Sequence, residues 1–192
     1  MAVNSESERT VLRLWLLLRR VGDALMLCQD SIFSQYGLTT EQWGVLTCIK
    51  SRGPLRPIDL ASILERSPNS ISMLVDRMVK AGLVRRTRVR KDRRVVTVSL
   101  TIKGEKAVEP AVIAGWEFIH EILSPLSDDD QCVLASMLET VKCELIHYLN
   151  PEMDKAEIIK NSFTQHPDLY KRMARNVLPS GYTAKRKHRG KV

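Results

Sequence analysis

The sequence predicts a mainly α fold with one small β-hairpin, and three observations carry that prediction. Apolar residues recur at three- and four-residue spacing through several long stretches, which is the period of an amphipathic helix. Hydrophobic residues reach 44%, yet aromatics stay at 5% and only nine glycines occur, too few turn residues for a sandwich or barrel. One run, VVTVSL at 95–100, is strongly β-branched, and such residues favour a pleated strand. At 192 residues the length suits one compact domain with an appendage, or two small domains.

Residues 8–34 read as a long helix. Leu14, Leu17, Leu18, Val21, Leu25, Cys28 and Ile32 form one stripe, and Leu12, Trp15 and Leu16 add a second. A helix apolar over so wide an arc must be covered on several sides, and a partner chain is one way to do it. Gly37 stops this helix. Thr39 or Thr40 caps a second helix, with Gln42 near the capping-box position, running to about Lys50. The stretch SRGPLRP is a loop, and Pro57 opens a short third helix with Ile58, Leu60, Ala61, Ile63 and Leu64. Ser67-Pro68 opens a fourth.

Only Glu65, Arg66 and Ser67 separate the third and fourth helices, a turn short enough to force a steep crossing. That is the helix-turn-helix arrangement. On the fourth helix Ile71, Leu74, Val75, Met78 and Val79 make the expected core face. The other face shows Asn69, Ser70, Ser72, Met73, Asp76, Arg77 and Lys80. Its N-terminal half is short and hydrogen-bonding, which suits close approach to base edges and phosphate. Gly82 ends the helix, Leu83-Val84 begins a strand, and the 95–100 run returns it. A hairpin with arginines at its tip, beside such a helix, is a wing: the helix enters the major groove and the wing lies along the backbone.

Charge supports a polyanionic partner. Residues 85–94 (RRTRVRKDRR) hold seven Arg/Lys against one Asp, and residues 150–192 hold ten against four acids. The formal net charge is +8, so the remainder is slightly acidic, whereas a generally basic protein would spread its charge. Thr101 then caps a helix over 102–123. Ser127, followed by Asp128, Asp129 and Asp130, opens another over 128–149, whose stripe is Val133, Leu134, Met137, Leu138, Val141, Leu145 and Leu149.

The order of these elements, with the segments LTTEQWGVLTCI, PIDLASIL, LVDRMVKAGLVRR and RKDRRVVTVSLTIKGEKA, resembles the MarR family of regulators. The last segment is similar to the family's wing signature, Asp-x-Arg followed by a strand and Leu-Thr-x-x-Gly. The likeness covers residues 8–149. It implies a winged helix-turn-helix over 38–101 and a helical dimerisation region from 8–36 and 102–149; residues 150–192, outside the likeness, read from their charge as a basic, partly disordered extension. It also implies a homodimer on a pseudo-palindromic double-stranded DNA operator, acting as a repressor. An architectural DNA-binding protein without effector control is the alternative. Carried over by position, Asp92 and Arg94 are the wing pair, with Asp92 orienting an arginine. Arg88, Arg90, Lys91, Arg93 and Arg94 meet phosphate or minor groove. Ser67, Asn69, Ser70, Ser72, Met73 and Arg77 belong to the recognition helix, with Met73 suited to a thymine methyl.

The same resemblance implies release by a small aromatic effector or by an oxidant. Walls from the first, second and fifth helices make Leu25, Cys28, Gln29, Ile32, Trp43, Leu46 and Trp116 the cleft candidates. Cys28 is also the redox candidate, although apolar neighbours blunt a thiol.

No catalytic site, metal site or cofactor is expected. The sequence holds no G-x-S-x-G, P-loop, H-E-x-x-H or Cys/His ligand spacing, and His120, His147, His166 and His188 stand apart. The cysteines Cys28, Cys48, Cys132 and Cys143 are scattered, which fits a reducing cytoplasm. No run approaches the roughly 18 apolar residues of a membrane span, and no secretory signal is readable. After 150, PEMDKAEIIKNSF suggests a short helix and DLYKRMARNVL a second, while AKRKHRGKV has no apolar content and reads as disordered. An arm adding phosphate contacts is the functional reading of that end.

Overall fold

The computed structural model describes residues 6–88, 94–156 and 158–159. Among them the chain forms α1 (Glu6–Ser34), α2 (Thr40–Arg52), α3 (Pro57–Ile63), α4 (Pro68–Lys80), β1 (Val84–Arg88), β2 (Val96–Leu100), α5 (Ile102–Leu123) and α6 (Asp128–Leu149). The boundaries follow local chemistry. Gly37, at φ 68°, takes the left-handed conformation that ends α1. Thr39 caps α2 in a reciprocal box: its hydroxyl accepts from the Gln42 amide at 3.2 Å, and the Gln42 side chain accepts from the Thr39 amide at 3.0 Å. Ser127 caps α6 ahead of three aspartates.

The two strands pair antiparallel, with Val84 opposite Leu100 and Arg88 opposite Val96. Leu55, in the loop after α2, adds a bridge to Val98 through two backbone hydrogen bonds of 3.1 and 2.7 Å. This fixes the hairpin to the helical lobe. The main core lies within one stretch, from Phe33 to Val112. Leu46, Leu60, Val75, Met78, Val98 and Val108 are fully buried there.

The start of α5 explains a glycine. A Cβ on Gly104 would fall 2.0 Å from the Leu83 carbonyl oxygen, so the helix meets the residue that leads into β1 backbone to backbone. Thr101 holds this corner: its hydroxyl donates to the Gly82 carbonyl at 2.6 Å and accepts from the Gly104 amide at 3.0 Å.

One expectation changes. Val79 is not a core residue and is 38% exposed. At 3.6 residues per turn it lies about a quarter-turn from the centre of the α4 stripe, on the rim. The stripes of α1 and α6 face solvent in the single chain, with Leu14, Val21, Met137 and Leu145 all exposed. Their apolar faces find no partner within this chain's core, whose cluster takes Phe33 from α1 and nothing from α6.

Candidate nucleic-acid interface

The turn between α3 and α4 sets the geometry of this surface. Glu65 takes φ 52°, a strained conformation for a non-glycine residue, and the Arg66 amide bonds back to the Ala61 carbonyl at 3.0 Å. Ser67 then leaves the turn extended and caps α4, its oxygen accepting from the Ser70 amide at 3.1 Å. The two serine hydroxyls also meet at 2.8 Å. Pro68 follows at the first helical position, where no amide hydrogen is needed.

With Ile71, Leu74, Val75 and Met78 buried, α4 turns its other side outward. Asn69, Ser70, Met73 and Arg77 are exposed together, Met73 to 66%, and Ser67 is exposed at the cap. Ser72 is only half-buried and sits on the same flank as Val79. The wing arginines divide. Arg88 ends β1 and is exposed, and Arg94 is exposed just before β2. Arg90, Lys91, Asp92 and Arg93 lie outside the described residues, so the role expected for Asp92 falls there too.

The structure supplies an acid–arginine pair that sequence reasoning missed. Asp76 on α4 holds Arg86 on β1 at 2.7 Å. Strand alternation explains it: Arg86 shares a face with buried Val84, the face turned to the helix. Arg85 points the other way and bonds the Ser99 hydroxyl across the strands at 3.1 Å. Nothing in spacing alone pairs residues 76 and 86, because the contact depends on how the hairpin folds back. Lys103 adds a cation at the far end of α4, donating to the Ala81 carbonyl at 2.8 Å. Arg56 and Asp59 form a two-pronged pair of 2.6 and 2.8 Å at the start of α3. Hydrogen bonding from Arg56 lowers the Asp59 carboxyl below its ordinary range and raises the guanidinium.

The candidate effector residues fall into three places. Trp43 stacks on Phe33, centroids 4.4 Å apart and planes 13° from parallel. A Cβ on Gly115 of α5 would press on both rings at 3.2–3.3 Å. Ile32 packs against this core and Leu46 is fully buried, so Leu46 offers no free surface. Leu25 and Cys28 are exposed on α1, with Gln29 half-buried beside them. Trp116, half-buried on α5, meets His120 edge-on at 5.0 Å. The Trp43 indole nitrogen and the Thr47 hydroxyl, one helical turn apart on α2, are buried without a hydrogen-bond partner among the described residues. Cys48 lies in the core, and burial pushes its thiol up to about 11.

Residues 38–96, which hold the helix-turn-helix and the hairpin, match the MarR family model. The chain belongs to the MarR family. It is 30% identical over 96 residues to the uncharacterized HTH-type transcriptional regulator YwoH of Bacillus subtilis, half of this chain and 69% of that protein. To the HTH-type transcriptional regulator PecS of Dickeya dadantii it is 28% identical over 121 residues, 62% of this chain and 73% of that protein. A mutant MarR of E. coli, solved in complex with operator DNA, superposes with a TM-score of 0.62 at 25% identity. It is matched over 99% of its own length but only 71% of this chain. The fold is therefore the family's winged helix, and this MarR-family regulator carries additional length. Among the described residues no group of three His, Cys, Asp or Glu side chains could hold a metal. No described helix is long and apolar enough to cross a membrane.

Proposed function

We propose that this MarR-family regulator binds a pseudo-palindromic operator in double-stranded DNA as a homodimer and represses transcription from it in the cytoplasm. The observation that carries the reading is the outward face of α4. Asn69, Ser70 and Met73 stand exposed on its N-terminal half, with Arg77 exposed on the same side in the last turn, beside a hairpin held by the Asp76–Arg86 pair. Short polar side chains near an exposed N-terminus suit base edges in a major groove, and Met73 suits a thymine methyl. The wing arginines, including Arg88 and Arg94, meet the flanking phosphates or the minor groove.

Dimerisation follows from energy. A regulator with Leu14, Val21, Met137, Leu138 and Leu145 exposed on two long helices leaves far more contiguous apolar surface than a soluble monomer tolerates. Residues 8–36 and 102–149 form the dimerisation region, and residues 38–101 the reading head. A small aromatic effector or oxidation acts between them, where α1, α2 and α5 meet around the Phe33–Trp43 stack. The unpaired Trp43 and Thr47 polar groups supply the hydrogen bonds that fix an effector's orientation there. The chemistry is recognition and release, not catalysis.

The test is selection of bound genome fragments followed by footprinting at about 150 mM salt, where weak non-specific contacts are screened. One protected pseudo-palindrome is the expected result. Uniform coating would instead mean an architectural protein.

A further inference from the structure

The two ends of the reading helix are held in different ways. At its C-terminal end α4 is built into the start of α5. Lys103 donates to the Ala81 carbonyl at 2.8 Å and the Thr101 hydroxyl to the Gly82 carbonyl at 2.6 Å, while Leu83 is buried at the backbone contact with Gly104. Ahead of its N-terminal end the chain is bare. Residues 65–70 are all exposed, and Ile71 is the first buried side chain of α4, so this corner contributes no core packing to fix its own place.

An ion pair reaches the bare end from the helical region. Lys142 on α6 donates to Glu65 Oε1 at 2.5 Å, across 77 positions of sequence. Glu65 is also, among the described residues, the one non-glycine at positive φ, 52°. A Cβ makes that conformation unfavourable, and glycine would hold the same turn without strain. Strain kept at a residue points to use of its side chain, and the Glu65 carboxylate is what α6 holds. The backbone outlier and the long-range pair thus fall on one residue, at the corner that aims α4.

The lever is short. The thirteen residues of α4 span about 20 Å. A displacement of about 3.4 Å at the Glu65 end, one base-pair rise, therefore tilts the helix by about 10°. The pair is partly exposed, 34% on the lysine side chain and 52% on the glutamate, and such pairs add little to stability. Its effect lies in where the end of α4 stands.

We propose that Glu65 and Lys142 are positioning residues for operator recognition. The start of α5 holds the C-terminal end of α4, and the Lys142–Glu65 pair ties the opposite end to α6. Together they set the tilt and separation of the two reading helices in the dimer, and so the half-site spacing it accepts. Neither residue reads a base. This rests on the operator reading above, in which α5 and α6 belong to the dimerisation region.

The experiment measures the affinity of the full chain for its selected operator, and for the same operator with one base pair added or removed between the half-sites. The ratio of these affinities cancels any uniform change in attraction to phosphate that an altered charge brings. The parent should prefer the selected spacing by roughly tenfold or more, since one base pair moves a half-site by about 3.4 Å and turns it by about 35°. Lys142→Glu and Glu65→Lys should each lower that preference to roughly threefold or less, and the combined reversal K142E/E65K should recover most of it. Glu65→Gly removes the anchor and the strain together, so it should melt close to the parent and still lose the preference. That outcome separates positioning from a folding defect. An unchanged preference in Lys142→Glu and Glu65→Gly, or a parent that binds all three spacings alike, would overturn the positioning role alone. A loss that the combined reversal leaves unrepaired would overturn the pair as its cause. A parent that selects no pseudo-palindrome would overturn the operator reading, and this one with it.

Discussion

Replacing Gly104 with alanine separates helix propensity from tertiary contact, because the two predict opposite signs. Residue 104 lies inside α5, where alanine is favoured over glycine by about 1 kcal/mol. The structure places the new Cβ 2.0 Å from the Leu83 carbonyl oxygen. Reaching ordinary contact requires a shift of more than an ångström between α5 and the start of the hairpin. Three hydrogen bonds span that gap: Thr101 hydroxyl to the Gly82 carbonyl, Thr101 hydroxyl to the Leu83 carbonyl, and Thr101 amide to the Leu83 carbonyl, at 2.6, 3.1 and 3.1 Å. Each contributes about 0.5–1.5 kcal/mol, so losing them costs about 2–4 kcal/mol. After the propensity gain, the net destabilisation is about 1–3 kcal/mol. For a chain of this size that lowers the melting temperature by roughly 3–10 °C, measured at fixed protein concentration because a dimer's stability depends on it. Operator affinity should fall as well, since Leu83 leads into the wing. A variant melting at or above the parent temperature would refute the close-contact argument.

Further outcomes follow from the same geometry. Arg93→Ala should weaken binding to every sequence and reduce the salt slope by about one, whereas changing Ser72 should shift which operator is preferred; equal, sequence-independent losses in a binding selection would count against both roles. Asp76→Ala breaks a partly exposed ion pair, so stability should change by less than about 1 kcal/mol. The ratio of operator to random-sequence affinity should fall with it, because the wing loses its tether, and an unchanged ratio would show that Arg86 needs no such partner. Leu138→Glu places a carboxylate at both copies of a two-fold interface. At about 1.5–3 kcal/mol per lost leucine, dimer dissociation measured by sedimentation should strengthen by a hundredfold or more, while an unchanged dimer would remove α6 from the interface. Peroxide should weaken operator binding of the parent but not of Cys28→Ser if oxidation is the release signal, and no effect on the parent ends the oxidant reading.

Local chemistry was legible in the sequence because it is decided by neighbours in the chain. The caps at Thr39, Ser67, Thr101 and Ser127, the breaks at Gly37 and Gly82, and the β-branched return strand all stand where spacing puts them. So does the division of α4 into a buried face and an outward one, apart from Val79 at its rim. The family could be read as well, since Asp-x-Arg and Leu-Thr-x-x-Gly are short words of one segment. What tertiary structure decided were contacts between residues far apart in the chain. Asp76 meets Arg86 only because the hairpin packs on α4. Gly104 is required only because α5 lands on the Leu83 carbonyl. Lys142 reaches Glu65 across 77 positions of sequence. Periodicity reports which side of a helix is apolar, but not what covers it, so the sequence could not show that the α1 and α6 stripes lie outside this chain's own core while Leu46 lies at its centre.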